Sequence, residues 1–287
     1  MENVFKSGFR SFLEASYIDF IEYGNLFLFP DYEFSVELVP AGHPVTGFQE
    51  GDMDKVYLFE DRWWSSRQMV QERILARLER FRSVFARKCR VLSGRGDVQL
   101  GERIREFLLK NHAYSSAKCR YRYALEYEGE IVAVATFSEG RPMVRKLSNP
   151  LVNVPREEHD NGNIVIFDSY EWVRYASLPG IRVIGGMGKL LSAFIEERFT
   201  RVAPGTPLEV MTYSDTEWGN GDVYLKLGFS YAGERPPVEY FVHKVTYSRL
   251  SQRLYEKELL KGALPSDFYT IRNFGSKKFL LQTSAPI

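Results

Sequence analysis

Residues 170–199 read YEWVRYASLPGIRVIGGMGKLLSAFIEERF: a strand, a glycine-rich turn and a helix in direct succession. Tyr170 to Ala176 is rich in aromatic and β-branched residues, the composition of a half-buried strand. After the turn, Leu190, Leu191, Phe194 and Ile195 return at helical spacing and predict one apolar helix face. Gly185, Gly186 and Gly188 lack the β-carbons that would block close approach, and the first amides of a helix have no partner inside it. With the helix dipole behind them, such amides make an anion site. The turn matches neither GxGxxG nor GxxxxGK[ST], so a Rossmann or P-loop site is not indicated.

The elements continue on both sides. Downstream, LEVMTYS (208–214) predicts a hydrophobic strand. The loop DTEWGNG then leads to a short helix, DVYLKLGF, and a last pair of strands lies around Tyr231 and Val238 to Val242. Upstream, YRYALEY (121–127) and IVAVATF (131–137) flank Glu128-Gly129-Glu130 and predict a hairpin. Before it come a helix carrying Ile104, Phe107 and Leu108, a strand over Val84 to Leu92, and a helix capped by Ser65 or Ser66 with Val70, Ile74, Leu78 and Phe81 on one face. VYLFE (56–60) reads as a short buried strand, and short strands are expected at Leu26 to Phe29 and Glu33 to Leu38. The polar excursion from Glu139 to Asn163 reads as a surface loop with its own short strand, followed by strands over 163–168 and 170–176. This order is that of an α/β domain with antiparallel hairpins. The expected division is an N-terminal extension (1–94), the α/β domain (95–245) and a C-terminal helix and strand packing on it (246–287).

The 38 basic and 37 acidic residues leave a net charge of +1, without the basic excess of a nucleic-acid binder. Arg80, Arg82, Arg87, Lys88 and Arg90 cluster across a helix end and a strand and read as a solvated surface. Cys89 and Cys119 form no CxxC pair, so neither a disulfide framework nor a zinc site is suggested. The first twenty residues lack the apolar core of a signal peptide, and no apolar run approaches the ~20 residues of a membrane span. The expected address is the cytoplasm.

VRYAS (173–177), GMG (186–188), LEVMTYS and Tyr224-Leu225-Lys226-Leu227-Gly228-Phe229 together resemble the GNAT N-acetyltransferases. The resemblance implies a GNAT-like fold: a mixed, mostly antiparallel sheet flanked by helices. It implies acetyl-CoA as co-substrate and no metal. The pyrophosphate would sit on the turn at Gly185, Gly186, Met187, Gly188 and Lys189, with Arg182 beside it. The pantetheine arm would pair with the splayed strand at Tyr175 and Ser177. Tyr224 would lie near the CoA sulfur as general acid. The family pattern has Gln or Arg three residues before the first Gly of GxG, where this chain has Val183.

A wider resemblance, over about residues 55–280, is to phage and mobile-element proteins. These carry a very-short-patch-repair-like homing endonuclease in front of a GNAT-like half. LFEDRWW (58–64), ARKCRV (86–91), FLLKNH (107–112), GGMGKLL (185–191), WGNGDVYLKLGF, PPVEYFV (236–242) and YTIRNFGSKKF (269–279) carry it. In those relatives the FEDxW segment closes the nuclease, which needs a cluster of acids around a metal. The front of this chain is short and shows no such cluster in strand context, so only the back half is expected here.

Acyl transfer to an amine needs a base for the amine proton and an acid for the leaving thiolate. Tyr224 is the acid candidate, and Glu171, in the strand leading to the turn, is the base candidate. Asp215 and Trp218 follow LEVMTYS at its C-terminal end, where α/β sheets bind ligands, and are the acceptor-site candidates. His112 ends a helix and reads as a surface group. Two readings follow. One is an acetyl-CoA-dependent N-acetyltransferase acting on a small-molecule or protein amine. The other is a non-catalytic GNAT-fold binding module of a mobile-element protein, with nucleic acid as a candidate partner.

Overall fold

The structure, a computed structural model, describes residues 4–42, 54–94, 96–146, 164–203 and 205–284. Helix α1 (Val4–Ala15) buries Phe5, Phe9, Phe12 and Leu13, a one-sided apolar stripe at helical spacing. Strands β1 (Ile21–Tyr23), β2 (Leu26–Phe29) and β3 (Phe34–Val39) form an antiparallel meander, and β4 (Asp54–Phe59) adds to β3 in parallel. Helices α2 (Glu60–Ser65) and α3 (Arg67–Arg77) follow. Ser66 stands at the N-cap of α3 as the sequence suggests, although its side chain makes no capping bond. Trp63 lies at the centre of this core, with the rings of Phe5, Phe9 and Phe12 within 6.2 Å.

The next strands are β5 (Arg82–Phe85) and β6 (Arg90–Ser93), separated by a 3-10 turn at Ala86–Lys88. The single strand expected over 84–92 is therefore two strands in two sheets. Next come α4 (Val98–Asn111), capped by the Asp97 carboxylate, and the hairpin β7 (Tyr121–Tyr127) and β8 (Glu130–Phe137). Strand β9 (Arg141–Lys146) is the short strand expected in the polar excursion; residues 147–163 of that excursion lie outside the described residues. Strand β10 (Ile164–Ser177) is continuous where two strands are expected. Then follow β11 (Ile181–Ile184), α5 (Gly186–Phe199), β12 (Leu208–Asp215), α6 (Asp222–Lys226) and β13 (Ser230–Arg235). Strands β14 (Glu239–His243), β15 (Arg249–Leu250) and β16 (Phe268–Arg272), with α7 (Gln252–Leu260), make a small three-stranded layer. The last strand is β17 (Ser276–Thr283).

The main sheet has the order β13-β17-β12-β10-β8-β7-β6, with β9 paired to the first half of β10. It is mixed and mostly antiparallel, and helices flank both faces. On one face Phe194 of α5 stacks on Phe137 at 3.9 Å and 4°. On the other, Ile104, Phe107 and Leu108 of α4 pack on Ala124, Val134 and Ala176. The C-terminal strand thus stands inside this sheet rather than packing on it. Its alternation, with Phe279 and Leu281 buried, declares a strand but not its neighbours.

Two compact units divide the chain: residues 1–80, 213–222 and 233–278, and residues 81–212, 223–232 and 279–287. The chain passes from one to the other after α3 and within β12, α6, β13 and β17. The expected limits at 94/95 and 245/246 do not coincide with this interleaved division. Among the described residues no helix is long and apolar enough to cross a membrane.

Each unit contains a buried carboxylate with cationic partners. In the first, Arg249 of β15 donates to Asp61 of α2 and to Glu217 after β12, the latter at 2.7 Å. In the second, Glu209 of β12 accepts from Arg145 on β9 at 2.7 and 2.9 Å, from Ser169 on β10 at 2.8 Å and from Gln282 on β17 at 2.9 Å. Burial pushes the Glu217 carboxyl up to about 7, against the opposing charge of Arg249. Burial works the same way on Glu209, but the hydrogen bonds from Arg145, Gln282 and Ser169 outweigh it and hold the group below the usual range.

These opposite shifts predict opposite pH dependences. The native state keeps the Glu217 proton up to about 7, whereas the unfolded chain loses it near 4.5, so this contribution is full below 4.5 and gone above 7. The contribution of Glu209 is present above 4.5 and is lost as pH falls through its lowered native value. Urea unfolding from pH 3 to 8 should show Glu217→Gln without the decline between 4.5 and 7, and Glu209→Gln less sensitive to acid than the native chain. Glu209→Ala, which leaves Arg145 without its partner, should cost about 3 kcal/mol at pH 7.

Candidate functional site

β10 and β12 run parallel in register from Asp168↔Leu208 to Glu171↔Met211, and there the ladder stops. Next along the strands stand Trp172 and Thr212, and the Thr212 hydroxyl donates to the Trp172 carbonyl at 3.3 Å in place of a backbone pair. Beyond that point β10 pairs with β8 alone, across a register shift between Trp172 and Arg174. Two parallel strands that part leave unpaired main-chain groups facing each other, a place where a ligand with amides of its own can pair.

Tyr224 of α6 sits at this parting. Its ring packs on Trp172 (6.2 Å), Phe229 (5.7 Å) and Phe279 (5.4 Å), a pocket of aromatic faces. Burial pushes its hydroxyl above the ordinary phenol value, and a hydrogen bond with Thr212 partly offsets the rise. The phenol is therefore protonated at neutral pH. Sequence reasoning passed over both Thr212 and Trp172. The available signal was the Thr212 hydroxyl directly after the apolar pair Val210-Met211 in LEVMTYS.

The glycine-rich turn follows β10. Gly185 is left-handed (φ 76°), which only glycine adopts at little cost, and its α-carbon opens α5. Gly186 is held for space: a β-carbon there would lie 3.0 Å from the Tyr175 hydroxyl and from Val183 Cβ. Gly188 is less confined, with Leu227 Cδ2 3.5 Å from the same position. Ser177 donates to the Tyr175 hydroxyl at 3.4 Å, so both strand candidates stand beside the turn. Burial raises the Tyr175 phenol, with the Ser177 bond opposing. Met187 packs partly against the core.

The cations are placed differently from expectation. The Lys189 ammonium donates to the carbonyls of Ala86 (3.0 Å) and Cys89 (2.7 Å), so it is turned onto the chain and not over the amides of the turn. Arg182 lies over the Phe81 ring at 5.1 Å, and Val183 is buried.

Glu171 is half-buried on β10. Its amide donates to Ser138 Oγ at 2.8 Å, and its carboxylate is among the charges acting on Arg174. Arg174 in turn donates to the carbonyls of Ser115 (3.2 Å) and Val173 (2.8 Å). Among the described residues no hydrogen bond or ring contact joins Glu171 to Tyr224. Asp215 and Trp218 belong to the other compact unit. Asp215 accepts from the Glu217 amide at 3.0 Å. Trp218 is 6% exposed, with the Arg73 guanidinium 3.8 Å from its ring centre, so it is core rather than the wall of an open site. Among the described residues no group of three His, Cys, Asp or Glu could hold a metal.

No protein-family model matches the chain, and no curated protein matches it. Solved structures give distant likenesses. A Bacillus subtilis acetyltransferase in complex with CoA is 12% identical, with 68% of this chain and 99% of that one covered and a TM-score of 0.31. A ribosomal-protein-alanine N-acetyltransferase from Brucella melitensis is 14% identical, with 57% and 68% covered and a TM-score of 0.28. An agmatine N-acetyltransferase is 10% identical, with 68% and 100% covered and a TM-score of 0.31.

The two inner glycines separate by experiment. Gly186→Ala overpacks against Tyr175 and Val183 and should destabilise by about 1–3 kcal/mol. Gly188→Ala meets only ordinary contact inside α5 and should be neutral or gain up to about 1 kcal/mol from helix propensity. Chemical denaturation of both variants measures the difference.

Proposed function

We propose that this protein is an acyl-CoA-dependent N-acyltransferase of the GNAT type, transferring an acetyl group to an amine on a small molecule or a protein. The observation that carries the reading is the end of the β10–β12 ladder at Glu171↔Met211, with the Tyr224 and Thr212 hydroxyls placed at the gap. The pantetheine arm, which carries two amides, would enter between the parted strands. Its pyrophosphate would meet the amides opening α5 at Gly186 to Gly188. The thioester carbon would then lie near Tyr224. As the amine nitrogen bonds to that carbon and the C–S bond breaks, Tyr224 would supply the proton taken up by the leaving sulfur. Glu171, half-buried on β10, is the candidate to take the amine's proton, through water.

The second reading, a non-catalytic module, is favoured by the Lys189 ammonium's bonds to main-chain carbonyls and by the buried Val183. Both are features of a turn with fewer free cations than the GNAT pattern implies.

Calorimetry with acetyl-CoA decides between them. Micromolar binding that is lost in Gly186→Trp supports the enzyme, and absence of binding at millimolar ligand removes it. If binding holds, Tyr224→Phe should lower CoA release across an amine panel by 10²-fold or more with little change in acetyl-CoA affinity. An unchanged rate would remove Tyr224 from the chemistry.

A further inference from the structure

The proposed donor site has more negative charge to meet than its own turn can answer. A phosphate monoester such as the 3′-phosphate of CoA carries about −1.5 to −2 at neutral pH. Within the turn, Val183 is apolar, Lys189 is held by the carbonyls of Ala86 and Cys89, and Arg182 lies on Phe81.

Those same Lys189 bonds bring in another part of the chain. β5 pairs in parallel with β11, from Arg82↔Ile181 to Phe85↔Ile184, and so delivers the 3-10 turn Ala86–Lys88 to the glycine-rich turn. The Ala86 methyl stands 3.7 Å from where a β-carbon of Gly185 would be. Arg87 and Lys88 are both exposed on this turn, and neither has an acidic partner among the described residues. The Arg87 guanidinium rests 4.8 Å from the Phe85 ring centre. Phe85 is 43% exposed and its register partner Ile184 44%, which makes a small apolar shelf under that cation. A half-exposed aromatic ring suits a purine, and cations without an acidic partner beside it suit a phosphate.

We infer that Phe85–Lys88 is the nucleotide anchor of the acyl-CoA site. Arg87 and Lys88 bind the 3′-phosphate of CoA, and the adenine lies on Phe85 and Ile184. The inference rests on the acyl-CoA reading above. It gives a role to basic residues that sequence alone assigns to solvent, and it makes this site selective for CoA over its dephosphorylated form.

The test is calorimetry of CoA and 3′-dephospho-CoA on the full chain, native and Arg87→Ala/Lys88→Ala. Both positions are exposed, so the variant keeps the fold, which circular dichroism verifies. Native protein should prefer CoA by roughly tenfold or more, and the preference should fall as salt rises. The variant should lose that preference while binding dephospho-CoA as the native chain does. Phe85→Ala should weaken both ligands by a similar factor. A variant that keeps the preference overturns the anchor while leaving the acyl-CoA site standing. No binding of either ligand by native protein overturns the site reading and the anchor with it. A variant that loses affinity for a single-stranded oligonucleotide but not for CoA would assign these cations to nucleic acid instead, and the anchor would fall.

Discussion

A carboxylate closed off from water ties four strands of the main sheet together. Glu209 stands on β12, and its two oxygens take hydrogen bonds from β9, β10 and β17. A buried charge is tolerable only when its lone pairs are met, and here side chains from three other strands meet them. Ser169, one of the donors, is the register partner of Glu209 in the parallel ladder. Two residues further on, at Glu171↔Met211, that ladder ends. The network therefore closes one end of the β10–β12 pair, and the other end parts at Trp172 and Thr212. An opening between parallel strands needs such a fixed point, or the separation would run along the whole pair. The proposed acyl-CoA site is in this sense a consequence of where the network lies.

The first unit solves a similar problem with a different outcome. Arg249 serves two carboxylates, Asp61 and Glu217, which arrive from segments far apart in the chain. Burial is the largest influence on Glu217 and outweighs the attraction of Arg249, so its proton is retained up to about 7. Burial is also the largest single influence on Glu209, but one charged and two neutral donors to that carboxylate together outweigh it, and the group shifts the other way. Where both acids are buried, the donors that meet each one decide the direction.

Local order was legible in the sequence wherever one residue type has one physical use. Gly185 needs a left-handed backbone, Gly186 needs absent side-chain volume, and the apolar stripe of α5 needs a sheet to cover it. All three are visible in residues 170–199. Pairing over long distances was not legible. VFARKCRVL alternates like one strand, and its break at Ala86–Lys88 is accompanied by Lys189, a hundred residues later, bonding to the carbonyls of Ala86 and Cys89. Lys189 itself looked like a phosphate ligand because a long flexible stem has no preferred target until the fold supplies one. Trp218 looked like a pocket wall for a similar reason: only the fold decides which face of an indole is covered. Thr212 was visible as a hydroxyl in an apolar strand, but its meaning depends on where a ladder ends, and that is set by register.

In the proposed reaction the chemistry at Tyr224 turns on a difference of acidities. An ordinary phenol, near pKa 10, is weaker than an ordinary thiol, near 8.5, so full transfer of its proton to a thiolate is uphill by roughly 2 kcal/mol in water. Burial among Trp172, Phe229 and Phe279 raises the phenol further. The same burial would raise the thiol, because both anions lose the same solvent, and the gap between them is then little changed. The Thr212 hydroxyl breaks this symmetry. Its hydrogen bond stabilises the phenolate and lowers Tyr224 alone, which brings donor and acceptor closer. A hydroxyl at the last point of contact between two parting strands thus has two uses. It donates to the Trp172 carbonyl in place of the missing main-chain pair, and, having one proton, it must turn from that carbonyl to stabilise a Tyr224 phenolate in the proposed reaction.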